Sequence, residues 1–332
     1  MYRRDVLKTL PVIAAGAALA PTRLFAQTAG RRIPLGIQYG APGDTPDANK
    51  AKLEGFKAMG YDMVEPVNMR GFDPTLFRKQ VDEAGMQLRS IHITVSDTSA
   101  PPPRGQGTGP GGGPARGSGG PGGGRGGGAP NTVYAKNGRP LHSQVVLGQD
   151  TTYTNEGILA IVKAQAPILR DLGVTYGVLG ASSITSYSTV DGLKRMADTY
   201  NQAHKMLRAV GVNLSYHTHE WELWPVPEDG RMGLDLVLQH TDPAIKAQID
   251  IGWAAWGGAD VVSLIRNHAN RIGLLHLRDY KDGAVTTAGE GVFNWPEIFK
   301  VTMMIKDPLC YVEGGDAKVA AADLRKFGWG KA

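Results

Sequence analysis

Cysteine and long apolar runs are nearly absent from this chain of 332 residues, and one nucleotide-binding motif is missing. The single cysteine, Cys310, excludes an internal disulfide and a thiolate metal cluster, and its apolar surroundings predict a core position. The apolar run 10–20 has about 11 residues, whereas a bilayer needs about 20, so we expect no stable membrane anchor. No Gly-x-Gly-x-x-Gly follows the first predicted strand, which disfavours a dinucleotide-binding open sheet.

The body of the chain has no excess of positive charge, although the whole sequence has a formal net charge of +5. The excess of positive charge lies in the first 26 residues, where the basic residues outnumber the single acid Asp5, and in a glycine-rich tract that contains Arg104, Arg116 and Arg125. Without these two segments the chain is near neutral and has no basic stripe for phosphates. The tract also lacks the aromatic residues on which RNA bases stack. We therefore expect no nucleic-acid partner.

Residues 1–26 have the layout of an export signal, with a charged start, an apolar run and a small residue, Ala26, for cleavage before Gln27. The paired arginines Arg3 and Arg4, with Val-Leu-Lys after one aspartate, resemble a twin-arginine signal. That resemblance implies export of an already folded protein to the periplasm of a bacterium. An ordinary secretory signal that contains two arginines is the alternative.

Strand-like and helix-like patterns alternate after this leader. The predicted strands cover 33–38, 61–66, 86–95, 174–180, a run that starts at 214, 245–251, 272–278 and 309–313. The predicted helices cover 49–59, 73–85, 155–172, 190–210, 234–240, 261–268, 295–304 and 320–327. Asp73, ahead of Pro74, and Asn294 are the predicted N-caps of the helices that follow them. Eight strand–helix units in about 250 residues predict an α/β fold, a single-domain (β/α)8 TIM barrel over 32–330. A doubly wound open sheet is the alternative.

A low-complexity segment interrupts this alternation after the third predicted strand. Between positions 105 and 128, 15 of 24 residues are glycine, and most others are proline, arginine or serine. Such a composition buries too little apolar surface to offset the entropy lost on ordering. We therefore predict that residues 97–150 form a disordered Gly/Pro-rich insertion in one loop of the barrel.

Acidic residues and histidines recur where the predicted strands end. They are Glu65 on the second strand, His92 on the third, His217, His219 and Glu222 on or just after the fifth, Asp250 on the sixth, His276 and Arg278 on the seventh, and Glu313 on the eighth. In a TIM barrel these ends meet at one face, where active sites are built. Each residue alone is more often a hydrogen-bonded structural group. Together they predict a shared divalent cation, because unpaired buried carboxylates are costly.

The segment 214–222 contains three possible ligands. Side chains alternate across a strand, so His217 and His219 point the same way, and Glu222 lies where the chain can turn back over them. Two imidazoles and a carboxylate are typical ligands of a divalent metal ion. The alternative is a solvated loop with one hydrogen-bonded histidine.

Three further residues have both a functional and a structural interpretation. Trp253 either stacks on the face of a sugar or packs over the barrel mouth. Arg278 either orients a substrate or forms a surface ion pair with Asp279. Glu65 either contacts the substrate or serves as a cap or salt-bridge partner.

Six short segments occur in the order that one enzyme family shows. They are Tyr216–Glu222, Thr241–Pro243, Asp250–Trp253, Leu275–Asp279, Gly289–Gly291 and Tyr311–Glu313. This set resembles the sugar phosphate isomerase/epimerase family, whose members have a xylose isomerase-like barrel. The resemblance covers residues 33–330 apart from the insertion. It is specific for the superfamily and much less so for the substrate.

The resemblance implies a divalent metal ion, often Mn²⁺, Mg²⁺ or Zn²⁺, bound by side chains from the fifth to the eighth strand. Carried onto this sequence, the ligands are Asp250, His276 and Glu313, together with His217 from the fifth strand. His219 and Glu222 compete with His217 for this last position, because many relatives have a glutamate there.

The resemblance also implies a reaction on a carbohydrate. The expected step removes a proton next to a carbonyl, with Glu222 or His219 as base and an enediolate as intermediate. Relatives usually have lysine where Arg278 stands. A guanidinium is a poor proton shuttle, so Arg278 is expected to orient the substrate. The other expected substrate contacts are His92, Trp253 and Glu65.

Return of the proton elsewhere gives isomerisation or epimerisation, whereas loss of a β-substituent gives elimination, as with 3-keto-glycosides or keto-inositols in some relatives. The sequence has no glycine-rich phosphate loop, so we expect an unphosphorylated sugar. Two alternatives are a non-catalytic periplasmic sugar-binding protein and a metal-dependent endonuclease. The endonuclease would need more histidine ligands and a basic surface.

Overall fold

The computed structural model describes residues 32–40, 45–67, 73–93, 154–180 and 189–330. The predicted export signal 1–26 and the predicted insertion 97–150 lie outside these residues, so both stay predictions. Among the described helices, none combines the length and the apolar character that crossing a membrane requires.

The described strands and helices alternate along the chain. The strands are β1 (Leu35–Tyr39), β2 (Met63–Pro66), β3 (Gln87–Leu88), β4 (Ser90–Ile93), β5 (Tyr176–Leu179), β6 (Asn213–Thr218), β7 (Lys246–Asp250), β8 (Ile272–Leu277), β9 (Asp279–Lys281), β10 (Ala284–Thr286) and β11 (Leu309–Val312). The α-helices are α1 (Pro46–Ala58), α2 (Pro74–Glu83), α3 (Asn155–Asp171), α4 (Val190–Arg208), α5 (Gly233–His240), α6 (Ile251–Trp256), α7 (Val261–His268), α8 (Trp295–Thr302) and α9 (Ala317–Lys326). A 3-10 turn covers Trp221–Leu223.

All described strands except the β9–β10 hairpin join one parallel sheet, in the order β3-β2-β1-β11-β8-β7-β6-β5-β4. β3 and β4 are separated only by Arg89. β3 pairs with β2, and β4 pairs with β5, so the sheet closes on itself across this break. The predicted (β/α)8 barrel is therefore confirmed.

The third predicted strand, 86–95, is broken because the chain changes neighbours at Arg89. The carbonyl oxygen of Arg89 accepts hydrogen bonds from the backbone N–H groups of both Thr175 and Tyr176, where the strand passes from β2 to β5. Local periodicity cannot show such a change of partner, since it depends on barrel closure. The helix α6 and the β9–β10 hairpin were not predicted either, because both are too short for a periodic pattern.

Helix starts and core positions follow from residue chemistry. Asp73 caps α2 ahead of Pro74, and Asn294 caps α8, both as predicted. The amphipathic helix α4 buries a face of the expected spacing, which includes Leu193, Met196, Tyr200, Ala203 and Leu207. Cys310 is fully buried, as its apolar surroundings predicted.

Candidate metal and active site

Six predicted site residues lie on or just past the carboxyl ends of barrel strands. They are Glu65 (β2), His92 (β4), His217 (β6), Asp250 (β7), His276 (β8) and Glu313 (after β11). Parallel strands bring these ends to one face of the barrel. Ligand atoms from four of them lie within 4.8 Å of one another, and we call these four the His/Asp/Glu cluster: His217, Asp250, His276 and Glu313. His92 forms a second group of the same compactness with His217 and His276.

His276 is held between two carboxylates. Nδ1 lies 2.5 Å from Glu313 Oε2, and Nε2 lies 2.5 Å from Glu65 Oε2. Burial lowers the pKa of His276, but the two carboxylates outweigh burial and raise it to about 10. Both ring nitrogens therefore carry protons in this arrangement. If the proton on Nδ1 leaves, this nitrogen is free to bind an ion while Glu65 still orients the ring through Nε2.

Arg278 pairs with both acidic members of the cluster. Its Nε donates to Asp250 Oδ2 at 2.7 Å, and its Nη2 pairs with Glu313 Oε1. Burial raises the pKa of Asp250 to about 7; Arg278 opposes this shift, and the charge of Glu313 adds to it. Burial alone would raise the pKa of Glu313 as well, but Arg278 and His276 hold it well below its ordinary value.

Glu65 is a buried neighbour of the cluster and contacts it through His276. The residue is 0% exposed, and besides His276 it accepts hydrogen bonds from Ser90 Oγ at 2.5 Å and from Gln248 Nε2 at 3.0 and 3.1 Å. Burial alone would raise the pKa of Glu65, but the charges of His276 and His92 hold it below its ordinary range. Glu65 has no exposed surface in this structure, and it forms a salt bridge with His276, so its contact with a substrate stays a prediction.

The structure brings His217 into the cluster, and the ring centroid of His219 lies 4.8 Å from that of His217. Glu222 Oε2 accepts the backbone N–H of His219 at 2.8 Å, which stabilises the turn after β6. The His219 ring stacks on Trp221 with centroids 4.7 Å apart, and its buried Nδ1 has no hydrogen-bond partner among the described residues. Burial lowers the pKa of His219 to about 3, so the ring is neutral at neutral pH.

Gln248 is a residue of this site that the sequence pattern did not single out. It lies on β7 two positions before Asp250, so both side chains point to the barrel interior. Its Oε1 lies 3.0 Å from His92 Nε2 and 3.0 Å from His217 Nδ1. The sequence signal that could have identified Gln248 is its place two positions before an acid in a buried strand. Burial, with the neighbouring imidazoles, lowers the pKa of His217 well below its ordinary value.

Trp253 and Asp279 have structural roles in the described part of the chain. Trp253 is 4% exposed, and the Arg278 guanidinium lies 4.6 Å from its ring centroid. Asp279 is fully buried and accepts hydrogen bonds from three backbone N–H groups and from Trp295 Nε1 at 2.8 Å. The alternative of a surface ion pair between Arg278 and Asp279 is therefore wrong. Arg278 instead binds acids that the barrel brings to it from other strands.

The donors of the His/Asp/Glu cluster fit a divalent cation. The site contains three carboxylates, those of Glu65, Asp250 and Glu313, and a single guanidinium, that of Arg278, which pairs with the last two. With neutral imidazoles these four groups carry two uncompensated negative charges, which one divalent ion would balance. Imidazole nitrogen together with carboxylate oxygen is a common donor set for zinc and other transition metals.

Comparison with known proteins points to the same fold. A segment of 95 residues is 33% identical to an inosose dehydratase from Geobacillus kaustophilus, and it spans 28% of this chain and 27% of the dehydratase. A solved sugar phosphate isomerase/epimerase from Parabacteroides distasonis has a TM-score of 0.62 at 20% identity, over 91% of this chain and 97% of that one. A solved L-ribulose 3-epimerase has a TM-score of 0.56 at 15% identity, over 90% and 93% of the two chains.

At these identities the solved structures show the fold alone. The family is shown by a match of the sequence to a family model. Residues 145–324, more than half of the chain, match the family described as xylose isomerase-like TIM barrel. The matched segment contains β6 to β11 and all four members of the His/Asp/Glu cluster. This chain therefore belongs to the xylose isomerase-like TIM barrel family.

Proposed function

We propose that this chain is a divalent-metal-dependent enzyme that isomerises or epimerises an unphosphorylated sugar or keto-sugar by removing a proton next to its carbonyl. The observation that carries the proposal is the convergence of His217, Asp250, His276 and Glu313 within 4.8 Å at the carboxyl ends of the strands. The names of the solved neighbours, a sugar phosphate isomerase/epimerase and an L-ribulose 3-epimerase, agree with this reaction class.

A divalent ion bound here would polarise the substrate carbonyl and make the neighbouring C–H bond acidic. The side chains around it have separate tasks. Glu65 orients the His276 ring through Nε2, and Arg278 keeps Glu313 ionised. The guanidinium is a fixed positive charge, so it also favours the negative charge that develops on the substrate oxygen.

We assign proton transfer to His219 and Glu313, and we give Glu222 a positioning role. The carboxylate of Glu222 accepts the backbone N–H of His219, so it is engaged in the turn. The neutral His219 ring has a buried Nδ1 without a partner among the described residues. The side chain of Glu313 is 19% exposed, whereas His217, Asp250 and His276 are at most 5% exposed. Glu313 can therefore be reached from the barrel mouth.

Elimination is the second candidate reaction, and the dehydratase relative favours it. The 33% identity to an inosose dehydratase spans 95 residues, which is 27% of that protein. The first step of both reactions is the same proton abstraction, so the same residues serve either outcome. The difference lies in whether a β-hydroxyl leaves before the proton returns.

One experiment separates these outcomes. Chelator-treated protein is reloaded with Mn²⁺, Mg²⁺ or Zn²⁺ and incubated in heavy water with ketopentoses, ketohexoses, 3-keto-glycosides and keto-inositols. Deuterium entering an intact sugar, seen by proton NMR, indicates isomerisation or epimerisation, whereas loss of the β-substituent indicates elimination. His219→Asn should lower the exchange rate about 100-fold or more if His219 transfers the proton. Absence of exchange with every substrate and ion rules out the proposed enzyme.

We also propose that the leader 1–26 exports the folded protein to the periplasm by the twin-arginine route. The support is the paired arginines ahead of a short apolar run. Fractionation of expressing bacteria should recover mature protein that begins at Gln27 from the periplasm. Replacing both arginines with lysine should leave the uncleaved chain in the cytoplasm, and periplasmic recovery of this variant would contradict the assignment.

A further inference from the structure

Gln248 contacts three functional groups with one amide. The residue is fully buried on β7 and pairs in register with His217 of β6. Its Nε2 lies 3.0 and 3.1 Å from the two oxygens of Glu65, and its Oε1 lies 3.0 Å from a nitrogen of His217 and from one of His92. Strands β2, β4, β6 and β7 therefore meet at a single side chain.

The carboxylate of Glu65 determines which way this amide faces. An ionised carboxylate can only accept hydrogen bonds, so the amide nitrogen of Gln248 must face Glu65. The amide oxygen then faces the two imidazoles, and an oxygen can only accept. His217 Nδ1 and His92 Nε2 must therefore each carry a proton and donate it to Gln248 Oε1.

This arrangement decides the tautomer of His217. A neutral imidazole carries one proton, and a proton on Nδ1 leaves the lone pair on Nε2. An amide does not titrate, so it holds this tautomer over a wide pH range, which a carboxylate in the same place would not do.

We propose that Gln248 is a positioning residue that fixes the proton of His217 on Nδ1 and thereby makes Nε2 the nitrogen available to a metal ion. The proposal rests on the proposed metal site. It adds the residue that prepares His217, the ligand on β6, to bind the ion. Gln248 itself accepts hydrogen bonds from the two imidazoles and donates hydrogen bonds to Glu65, so its polar atoms are occupied and it is not a metal ligand. Groups that orient metal-ligating histidines in this way typically strengthen metal binding by about 10–100-fold.

The tautomer is measured directly by NMR on metal-free protein labelled with ¹⁵N-histidine. The chain has 8 histidines, and the His217 signals are assigned by their loss in His217→Asn. Wild-type His217 should show a protonated Nδ1 and an unprotonated Nε2. A proton on Nε2 in the wild type overturns the proposal, whatever any variant does.

Gln248→Met tests the role of the amide, because it removes the donor and the acceptor at similar volume. The His217 proton should then distribute between both nitrogens, and the Kd for Zn²⁺, measured by competition with a chelating dye, should rise about 10–100-fold. Gln239→Met makes the same chemical change on the exposed end of α5 and should alter neither quantity. An unchanged tautomer and an unchanged Kd in Gln248→Met overturn the proposal.

The same data separate this proposal from the proposed function. If the tautomer is as stated and Gln248→Met disturbs it, but the wild type binds none of Zn²⁺, Mn²⁺ and Mg²⁺, the metal-dependent function fails and the tautomer role of Gln248 stands. If the wild type binds metal tightly and Gln248→Met binds it equally well, the function survives and the positioning role fails.

Discussion

The acids of the His/Asp/Glu cluster, together with Glu65, have partners of opposite charge within hydrogen-bond distance. Asp250 and Glu313 share Arg278, while Glu65 and Glu313 share His276. Taking a charge out of water costs several kcal/mol, and these contacts offset that cost only while each group keeps its partner. Single substitutions in the site should therefore have large and specific effects.

Arg278→Met should destabilise the metal-free protein by about 3–5 kcal/mol, because it leaves the carboxylates of Asp250 and Glu313 buried without their shared cation. The free energy of unfolding is measured by urea denaturation with chelator present. The control is Arg170→Met, which removes an ion pair whose partners are 56% and 64% exposed, and it should cost less than about 1 kcal/mol. Equal costs for the two variants would contradict this account of Arg278.

Metal binding should release about one proton per ion at pH 8. The pKa of His276 is raised to about 10, so its ring is protonated at this pH, and the proton must leave before the imidazole can bind an ion. The pKa of Asp250 is about 7, so its carboxyl is mostly ionised at pH 8 and contributes little. Calorimetric titration with Zn²⁺ in two buffers of different ionisation enthalpy measures the release. Identical heats in both buffers would refute it.

At the scale of secondary structure elements, a polar contact joins α5 to α7 on the outside of the barrel. His268 Nε2 lies 2.7 Å from Asp235 Oδ1, and Nδ1 lies 3.0 Å from the carbonyl oxygen of Leu264. Both ring nitrogens face acceptors, so the contact favours the protonated imidazole. The hydrogen bond to Asp235 raises the pKa of His268, and burial opposes this shift.

The contribution of His268 to stability should depend on pH. A histidine whose folded pKa is raised contributes its full stabilisation below its unfolded pKa of about 6.5, and loses it as pH rises through the folded pKa. His268→Gln should therefore be less stable than wild type at pH 6, by at most about 1 kcal/mol for this partly exposed pair, and equal to it at high pH. Urea denaturation between pH 5.5 and 9 measures this. In the double-mutant cycle with Asp235→Asn, a coupling energy independent of pH would contradict the prediction.

At the scale of the whole molecule, barrel closure brings distant parts of the chain to one ion site. Glu65 on β2 contacts His276 on β8, which contacts Glu313 after β11. The site therefore exists only in the folded barrel, and an ion that binds there binds the native state alone.

A bound ion should stabilise the whole barrel. At a free ion concentration of 100 times Kd, the free energy of unfolding should rise by about 2.7 kcal/mol. Urea denaturation of chelator-treated protein with and without Mn²⁺ or Zn²⁺ measures the change. His268 contacts Leu264 and Asp235 and no member of the cluster, so the ion should stabilise His268→Gln as much as wild type. It should stabilise Asp250→Asn little. Superimposable curves with and without each ion would rule out a native-state metal site.

Much of the fold was predictable because local sequence patterns determine where its strands and helices lie. The helices α2 and α8 begin at the predicted caps, Asp73 and Asn294, since a side-chain oxygen that accepts an N–H is a local property. The break at Arg89 was not predictable, because it depends on which strands become neighbours when the barrel closes. The leader and the glycine-rich insertion stay predictions.

The sequence by itself determined the order of strands and helices, and the placement of Asp250, His276 and Glu313 at strand ends, because the period-two pattern of a buried strand fixes which side chains face inward. The tertiary structure decided which fifth-strand residue joins them. His217 does so while Glu222 folds back onto the His219 N–H, since side-chain direction past a strand end depends on the turn that follows. It also revealed Gln248, whose position two residues before Asp250 could not show its partners, because its four hydrogen bonds reach strands far apart in the chain.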